Sequence, residues 1–436
     1  PPPVSDGGTI AAATGPASPP SPVFSPSPVS SPNPAERPSP IAIEASPDPS
    51  RAPRPRIVPP AVPTTDVARP ASRGPSAAAR AGLQRTLDRL RAKYGIPGVS
   101  TTIIFADGSA WTGVSGLADV EKGRPVTHAT AFAIGSISKT FTAALVLAIG
   151  GEGKIVLDAP VKTYVPNLRI DPKTTVRQLL DHTSGLRDYF FHPRIDALLL
   201  GQRDREWDET DALRYVGKPY FKPGAGWHYS NTNYLVLGLI AEAVGAAPID
   251  EQIRTRFLEP LGLGRTFYQG PEHATGSIAH GYRFKGSGVR LRPIDLADGT
   301  GIVPFRSVVT AAAGAGSLAS NSADVARWAR SLYGGAVLPE LTLDTMLEDR
   351  ARTAPDGASV PYGLGVQVVD IDGRPSYGHS GRLLGFRSVM RWLPEEGITI
   401  VVLTNQSRTD PALIARALLK QARTYPIACG GCAEQR

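Results

Sequence analysis

Cysteine is nearly absent from this 436-residue chain: there are two, Cys429 and Cys432, both at the C-terminal end. Their C-x-x-C follows no strand and opens no helix, so it lacks the setting of a thioredoxin-like centre, and no further ligands stand near it for a structural zinc. A small disulfide in an oxidising compartment, or a tail with no catalytic part, is the expectation. Runs of 18 or more apolar residues are also missing, so no segment reads as a membrane-spanning helix. The seven histidines show neither H-x-H nor H-E-x-x-H spacing, which disfavours a metal-dependent hydrolase. No G-x-S-x-G elbow is present, which argues against an α/β-hydrolase. The net charge of +8 comes from scattered Arg and Lys without an aromatic–basic stripe. It suits an anionic envelope, and no nucleic-acid partner is expected.

What is present divides unevenly. Half of the 42 prolines fall in the first 70 residues, interleaved with Ser, Ala and Arg and almost without aromatics. Such a segment buries too little apolar surface to offset its ordering entropy, so residues 1–74 read as a disordered or polyproline-like leader. The chain begins with prolines and not methionine, and is expected to have been trimmed, any signal peptide already gone. A leader of this kind before a folded part suits an exported protein tethered at the cell envelope. The folded part is expected over residues 75–426, followed by a flexible tail over 427–436.

Within the folded part, leucines at 83, 87 and 90 predict an amphipathic helix over residues 76–93. Strands over 98–106 and 109–118 meet at Asp107-Gly108, a hairpin signal. Helices are expected over 140–150, over 174–182 with Gly185 as its cap, over 231–244 and 250–257, over 322–333 capped by Asn321 or Ser322, and over 411–423. Strands are expected over 362–370, 375–379, 386–394 and 397–404. Strands at both ends with helices between predict an α+β fold: an antiparallel sheet from the N- and C-terminal parts, flanked by the terminal helices, with an all-helical lobe inserted over roughly residues 140–335.

Three short motifs carry chemistry. Ser136-Ile137-Ser138-Lys139 sits between a strand-like run and a helix, and a serine and lysine three apart on a helix present hydroxyl and ammonium from one face. That places a proton acceptor beside a nucleophile. Tyr229-Ser230-Asn231 precedes an apolar helix, and His379-Ser380-Gly381 ends one expected strand. Each is common by itself; their order and settings together are not.

With these motifs, and with residues 151–158, 179–186 and 362–365, the chain resembles the serine β-lactamase and penicillin-recognising family. The likeness is greatest to the class C β-lactamases and soluble D-alanyl-D-alanine carboxypeptidases, and it runs from about Leu83 to Gln406. The resemblance implies that Ser136 is acylated, that Lys139 and Tyr229 move its proton, that Asn231 holds Lys139 and the substrate amide, and that His379 hydrogen-bonds near Tyr229 or the leaving group. It implies oxyanion donors from the main-chain N–H of Ser136 and of Arg382, which follows Gly381, with Ser380 lining the cleft. No cofactor or metal is implied. His182 reads as a residue at a helix end, and Trp227 and His228 as cleft-lining or packing residues.

Two departures concern substrate. Where carboxypeptidase relatives carry an arginine for the peptide's terminal carboxylate, this chain has Gln367, so either Arg382 or Arg387 supplies that charge or the substrate lacks a carboxylate. A cleft aromatic is also replaced near residues 310–313. The leading expectation is a secreted D-alanyl-D-alanine carboxypeptidase-type hydrolase acting on cell-wall peptides. A class C-like β-lactamase, a D-aminopeptidase or an esterase are alternatives in the same fold, and an inactive cell-wall-binding module is one of another class.

Overall fold

The computed structural model describes residues 74–274, 276–285, 292–348 and 361–425. The Pro-rich leader and the tail with Cys429 and Cys432 lie outside the described residues. In chain order the elements that place the site are α1 (Ala77–Lys93), β1 (Gly98–Ile104), β2 (Ala110–Asp119), β3 (Arg124–Pro125), α2 (Ser138–Gly151), α3 (Asn231–Gly245), α4 (Ser322–Tyr333), β4 (Gln367–Ile371), β5 (Arg374–Leu383), β6 (Phe386–Leu393), β7 (Ile398–Thr404) and α5 (Ala412–Ala422).

The seven strands form one sheet in the order β3-β2-β1-β7-β6-β5-β4. Its centre joins the two ends of the chain, with β1 antiparallel to β7 from Val99↔Thr404 to Ile104↔Thr399. Strand β1, Gly-Val-Ser-Thr-Thr-Ile-Ile, is rich in β-branched residues and buried along its whole length because both its faces are covered. Val99 and Ile103 pack with Leu83 and Leu87 of α1 and Ile414 and Leu418 of α5. On the opposite face the Ser100 and Thr102 hydroxyls each lie 2.8 Å from Ser322 Oγ, at the start of α4. The hairpin between β1 and β2 closes where Phe105 N–H donates to Ser109 O at 2.8 Å and Asp107 Oδ1 accepts from Ser109 N at 2.9 Å.

Helix α1 starts at Ser76, whose Oγ accepts from Ala79 N, and α4 starts at Asn321, whose Oδ1 accepts from Asp324 N at 2.9 Å. Helices α2 and α3 are apolar around most of their circumference and run through the core. Phe141 of α2 stacks on Trp328 of α4 at 3.9 Å, and the indole N–H donates to Thr140 Oγ1. No single described helix is long and apolar enough to cross a membrane; the pair Asn231–Gly245 and Ile249–Leu258, bent by 79°, passes on length and composition only.

Four expectations differ. The insertion expected to be all-helical over roughly residues 140–335 also holds short strands: Phe267–Tyr268 and Leu318–Ser320 join a small sheet with Phe132–Ala133, and Tyr282–Lys285 pairs with Arg292–Asp295, runs too short to declare a strand period in sequence. The helix expected over 174–182 is the five-residue Val176–Leu180, opened by a Thr175–Gln178 capping box, and the left-handed residue after it is His182 (φ 67°), three positions before Gly185. The strand expected from residue 362 begins at Gln367, because Gly363 N–H turns back to Val366 O at 2.8 Å. The strand expected to stop at residue 379 continues to Leu383, so the His-Ser-Gly motif lies inside β5 and pairs with β6 throughout.

Gly381 reads as a strand breaker in sequence, yet it is what lets β5 pass the segment that carries Ser136. A Cβ there would sit 1.9 Å from Ile134 O and 2.2 Å from Ser388 Oγ. Gly381→Ala must therefore push the strand off its neighbour, at an expected cost of about 1–3 kcal/mol. A melting temperature lowered by several degrees checks this; an unchanged one would show that the contact yields freely.

Candidate active site

Ser136 sits in a single tight turn, Gly135–Ile137, that leads directly into α2. Gly135 has φ 53°, and a Cβ there would come 2.9 Å from Arg382 N, so only glycine permits β5 to run against this turn. Ser136 is half-buried while its neighbours on both sides are buried, which leaves its hydroxyl as the exposed point of the turn. The main chains of Ser136 and Arg382, the two expected oxyanion donors, thus come from adjoining segments.

Lys139, one turn into α2, is fully buried. Its Nζ lies 2.7 Å from Asn231 Oδ1, 2.7 Å from Ala315 O and 3.2 Å from Ser136 Oγ. Both 2.7 Å partners are acceptors and take two N–H groups. The third tetrahedral position faces Ser136, where a neutral amine presents its lone pair. Burial lowers the Lys139 pKa to about 7, against the opposing pull of the Asp188 carboxylate.

Asn231 opens α3, and its amide is oriented from both sides. Oδ1 accepts from Lys139, while Nδ2 donates to Asp188 Oδ2 at 2.7 Å and the Asn231 main-chain N–H donates to the same oxygen at 3.1 Å. Asp188 is itself buried, and that burial raises its pKa. A chain of contacts therefore runs Asp188, Asn231, Lys139, Ser136. Nothing in the local sequence marks Asp188 as its origin beyond its place just after the Thr-Ser-Gly-Leu segment.

The Tyr229 ring stands over Lys139 Nζ at 5.0 Å. Its hydroxyl is buried and meets no partner in full hydrogen-bond geometry, although the Ser136 side chain beside it eases ionisation. Burial nonetheless outweighs that and holds the phenol well above its ordinary range, so Tyr229 is protonated in the free protein.

His379 does not hydrogen-bond Tyr229; the ring centroids are 6.2 Å apart. Its Nδ1 lies 2.6 Å from Ser380 O, which can only accept, so the proton is on Nδ1 and Nε2 accepts from Tyr362 Oη at 2.9 Å. Burial and the nearby Lys139 charge bring the His379 pKa down to about 3, leaving a neutral imidazole. The partner was hidden in sequence because Tyr362 lies 17 positions upstream, in the turn before β4.

His182 belongs to the site as a brace. Its Nδ1 faces two donors, Ser230 N at 3.2 Å and Asn233 Nδ2 at 3.1 Å, and the amide of Asn233 is fixed by Ser184 Oγ–H on its Oδ1. The ring packs against Tyr229 at 4.3 Å and Tyr362 at 4.8 Å. Trp227 and His228 also hold this loop: the Trp227 indole donates to Asp181 O at 2.8 Å, and His228 stacks on Tyr220 at 3.8 Å.

Ser380 and Arg382 alternate with His379 and Gly381 along β5, and both are exposed. Both the N–H and the hydroxyl of Ser380 donate to Gln367 Oε1. Arg387 donates to Arg408 O at 3.3 Å. One group of metal-capable side chains occurs among the described residues: Asp119, Glu121, His280 and Asp295, with ligand atoms within 4.8 Å of one another. Its members have protein partners already, His280 Nδ1 with Asp295 Oδ2 at 2.7 Å and Glu121 Oε2 with the Tyr282 hydroxyl at 2.8 Å.

A serine at the start of a buried helix, a lysine one turn on and a tyrosine from a second segment, set against an antiparallel sheet, define a serine hydrolase class. The Beta-lactamase family model matches residues 83–423, and the chain belongs to that family, whose members are serine hydrolases. Penicillin-binding protein 4 of Amycolatopsis lactamdurans is 29% identical over 338 residues, spanning 74% of this chain and 84% of that one. Esterase EstB of Burkholderia gladioli is 27% identical over 333 residues, 69% and 84% of the two chains. Among solved structures, a D-stereospecific amidohydrolase from a Streptomyces species superposes with a TM-score of 0.68 at 28% identity, covering 79% of this chain and 98% of that one.

Proposed function

We propose that this chain is a serine acyl-hydrolase that forms an acyl-enzyme on Ser136 with amides, peptides, esters or β-lactams of the kind penicillin-recognising enzymes take. The His-Ser-Gly motif likens its acylation machinery to that of the D-alanyl-D-alanine carboxypeptidase type, but Gln367 stands where that type carries an arginine for the peptide's carboxylate. The observation that carries the reading is Lys139: a buried amine with two fixed acceptors and its third position on Ser136 Oγ at 3.2 Å.

The Ser136 oxygen bonds to the substrate carbonyl carbon as its proton passes to the neutral Lys139 amine. The carbonyl π pair moves onto oxygen, where the N–H groups of Ser136 and Arg382 receive the charge. When the carbonyl re-forms, the bond to the leaving nitrogen or oxygen breaks. Tyr229 gives that atom its phenolic proton and recovers one from Lys139. A water then enters by the same route in reverse and releases the acid. Asn231 and Asp188 hold Lys139 in place, and the neutral His379, tied to Tyr362, shapes the sheet side of the site. An extracytoplasmic location, with the leader as a tether to the envelope, fits such a substrate.

Acid-quenched intact mass spectra taken during turnover of a nitrophenyl ester, a D-amino acid amide and a β-lactam test this. The expected result is one added acyl group, mapped to the peptide that contains Ser136. Turnover with the acyl group on another residue would overturn the assignment.

A further inference from the structure

Gln367 and Arg391 both stand opposite Gly378, one on each side of β5, so the three make a row across β4, β5 and β6. Gly378 has no side chain to separate them. The buried Arg391 guanidinium reaches across it, and Nη2 donates to Gln367 Oε1 at 3.0 Å. The same oxygen accepts from Ser380 N–H at 3.0 Å and from the Ser380 hydroxyl at 3.2 Å.

A guanidinium, a main-chain N–H and a hydroxyl converging on one point make a donor set for a carboxylate, and an uncharged amide oxygen fills it less strongly. The other hydrogen bond of Arg391 goes to Met390 O at 3.3 Å, and no carboxylate pairs with it within 4.0 Å among the described residues. Burial lowers its pKa to about 10, which leaves it charged at neutral pH. A cation does reach this point, but it is Arg391 of β6, acting through Gln367, and not either of the two arginines, Arg382 and Arg387, that the sequence offered.

The place of this donor set along the strand matters as much as its chemistry. Strand β4 pairs with β5 only as far as Gly378, so from His379 onward that edge carries no strand. The Ser380 N–H points to this edge, and residues two apart share an edge, so the N–H of Arg382 lies on it about 7 Å further on. An acyl carbonyl held at Arg382 and an anion held at Ser380 then lie along one edge, at a separation that a single extended residue together with its carboxylate group can span. That is the relation between the scissile carbonyl and the terminal carboxylate of a peptide losing its last residue.

We propose that Gln367 is a specificity-determining residue: its side-chain amide occupies the carboxylate position, so the enzyme takes amides and esters with uncharged leaving groups in preference to peptides that end in a free carboxylate. This rests on acyl transfer at Ser136 and narrows its substrate class.

The test compares kcat/KM for N-acetyl-D-Ala-D-Ala with that for the same dipeptide capped as a C-terminal amide, in wild type, Gln367→Ala and Gln367→Glu. The wild type is expected to favour the capped dipeptide by about tenfold or more. Gln367→Ala frees the three donors and raises the ratio of acid to amide by about tenfold or more, whereas Gln367→Glu fills them with its own carboxylate and leaves the ratio low. A wild type that prefers the free acid overturns the proposal, and so does a ratio that stays the same in Gln367→Ala. If Gln367→Ala does not fold, the wild-type preference and the Gln367→Glu ratio decide. A nitrophenyl ester assayed in parallel separates the two levels: ester turnover that survives Ser136→Ala refutes the acyl-enzyme itself, and this proposal with it.

Discussion

Ser136→Ala is expected to lower turnover of every acyl substrate by about 10⁴- to 10⁶-fold, the range seen when the nucleophile of a serine hydrolase is removed. The substitution deletes one oxygen that lies 3.2 Å from Lys139 Nζ and beside the Tyr229 hydroxyl. Lys139 keeps both of its shorter partners, so the helix start and the core around it are expected to survive, and the melting temperature to stay within a degree or two. Residual activity comes only from the oxyanion donors and from substrate positioning. A variant that retains more than about 1% of wild-type turnover, with a normal melting curve, would remove Ser136 from the reaction.

Lys139→Met is expected to slow acylation by about 10²- to 10⁴-fold, the usual contribution of a positioned base. This variant carries a structural cost as well, since Asn231 Oδ1 and Ala315 O each lose a donor in a buried setting. Each orphaned acceptor costs about 1–3 kcal/mol, so folding must be measured alongside the rate. Lys139→Arg supplies charge and donors but no base at neutral pH, and is expected to be just as slow.

The wild-type pH profile gives the same information without substitution. With the neutral amine as the proposed base, the acylation rate is expected to rise with pH through about 7 and to fall below it as Lys139 gains a proton. His379, with its pKa near 3, is neutral across that range, and Tyr229 remains a phenol, so neither adds a limb there. A rate that is flat from about pH 5 to pH 9 would show that Lys139 is not the base.

Ser136, Lys139, Tyr229 and Asn231 were legible in sequence because each belongs to a run whose neighbours also declare the local structure: a turn before a helix in both cases. The structure brings them together through Lys139. The sheet side was less legible. The position of His379 was clear but its partner was not, because a strand residue meets whatever its register opposes, and Tyr362 approaches from the turn before β4. Gly381 shortened the expected strand because the space a glycine leaves for Ile134 O depends on a segment some 250 residues earlier in the chain. Gln367 stood out as a departure, yet Arg391 did not. Only the alignment of three strands on Gly378 shows that the two side chains touch. Asp188 was missed because a buried carboxylate that anchors an amide looks, in sequence, like any loop aspartate.

The pairing of β1 with β7 and the passage of β5 over Gly135 have a consequence for biosynthesis. Ser136 and Lys139 leave the ribosome long before His379 and Arg382, and the strand that closes the sheet on β1 ends only at Thr404. A nascent or truncated chain therefore holds its nucleophile without an oxyanion site. Hydrolytic activity is thus expected to wait for the strand that ends at Thr404, and chains cut short of it to stay chemically silent.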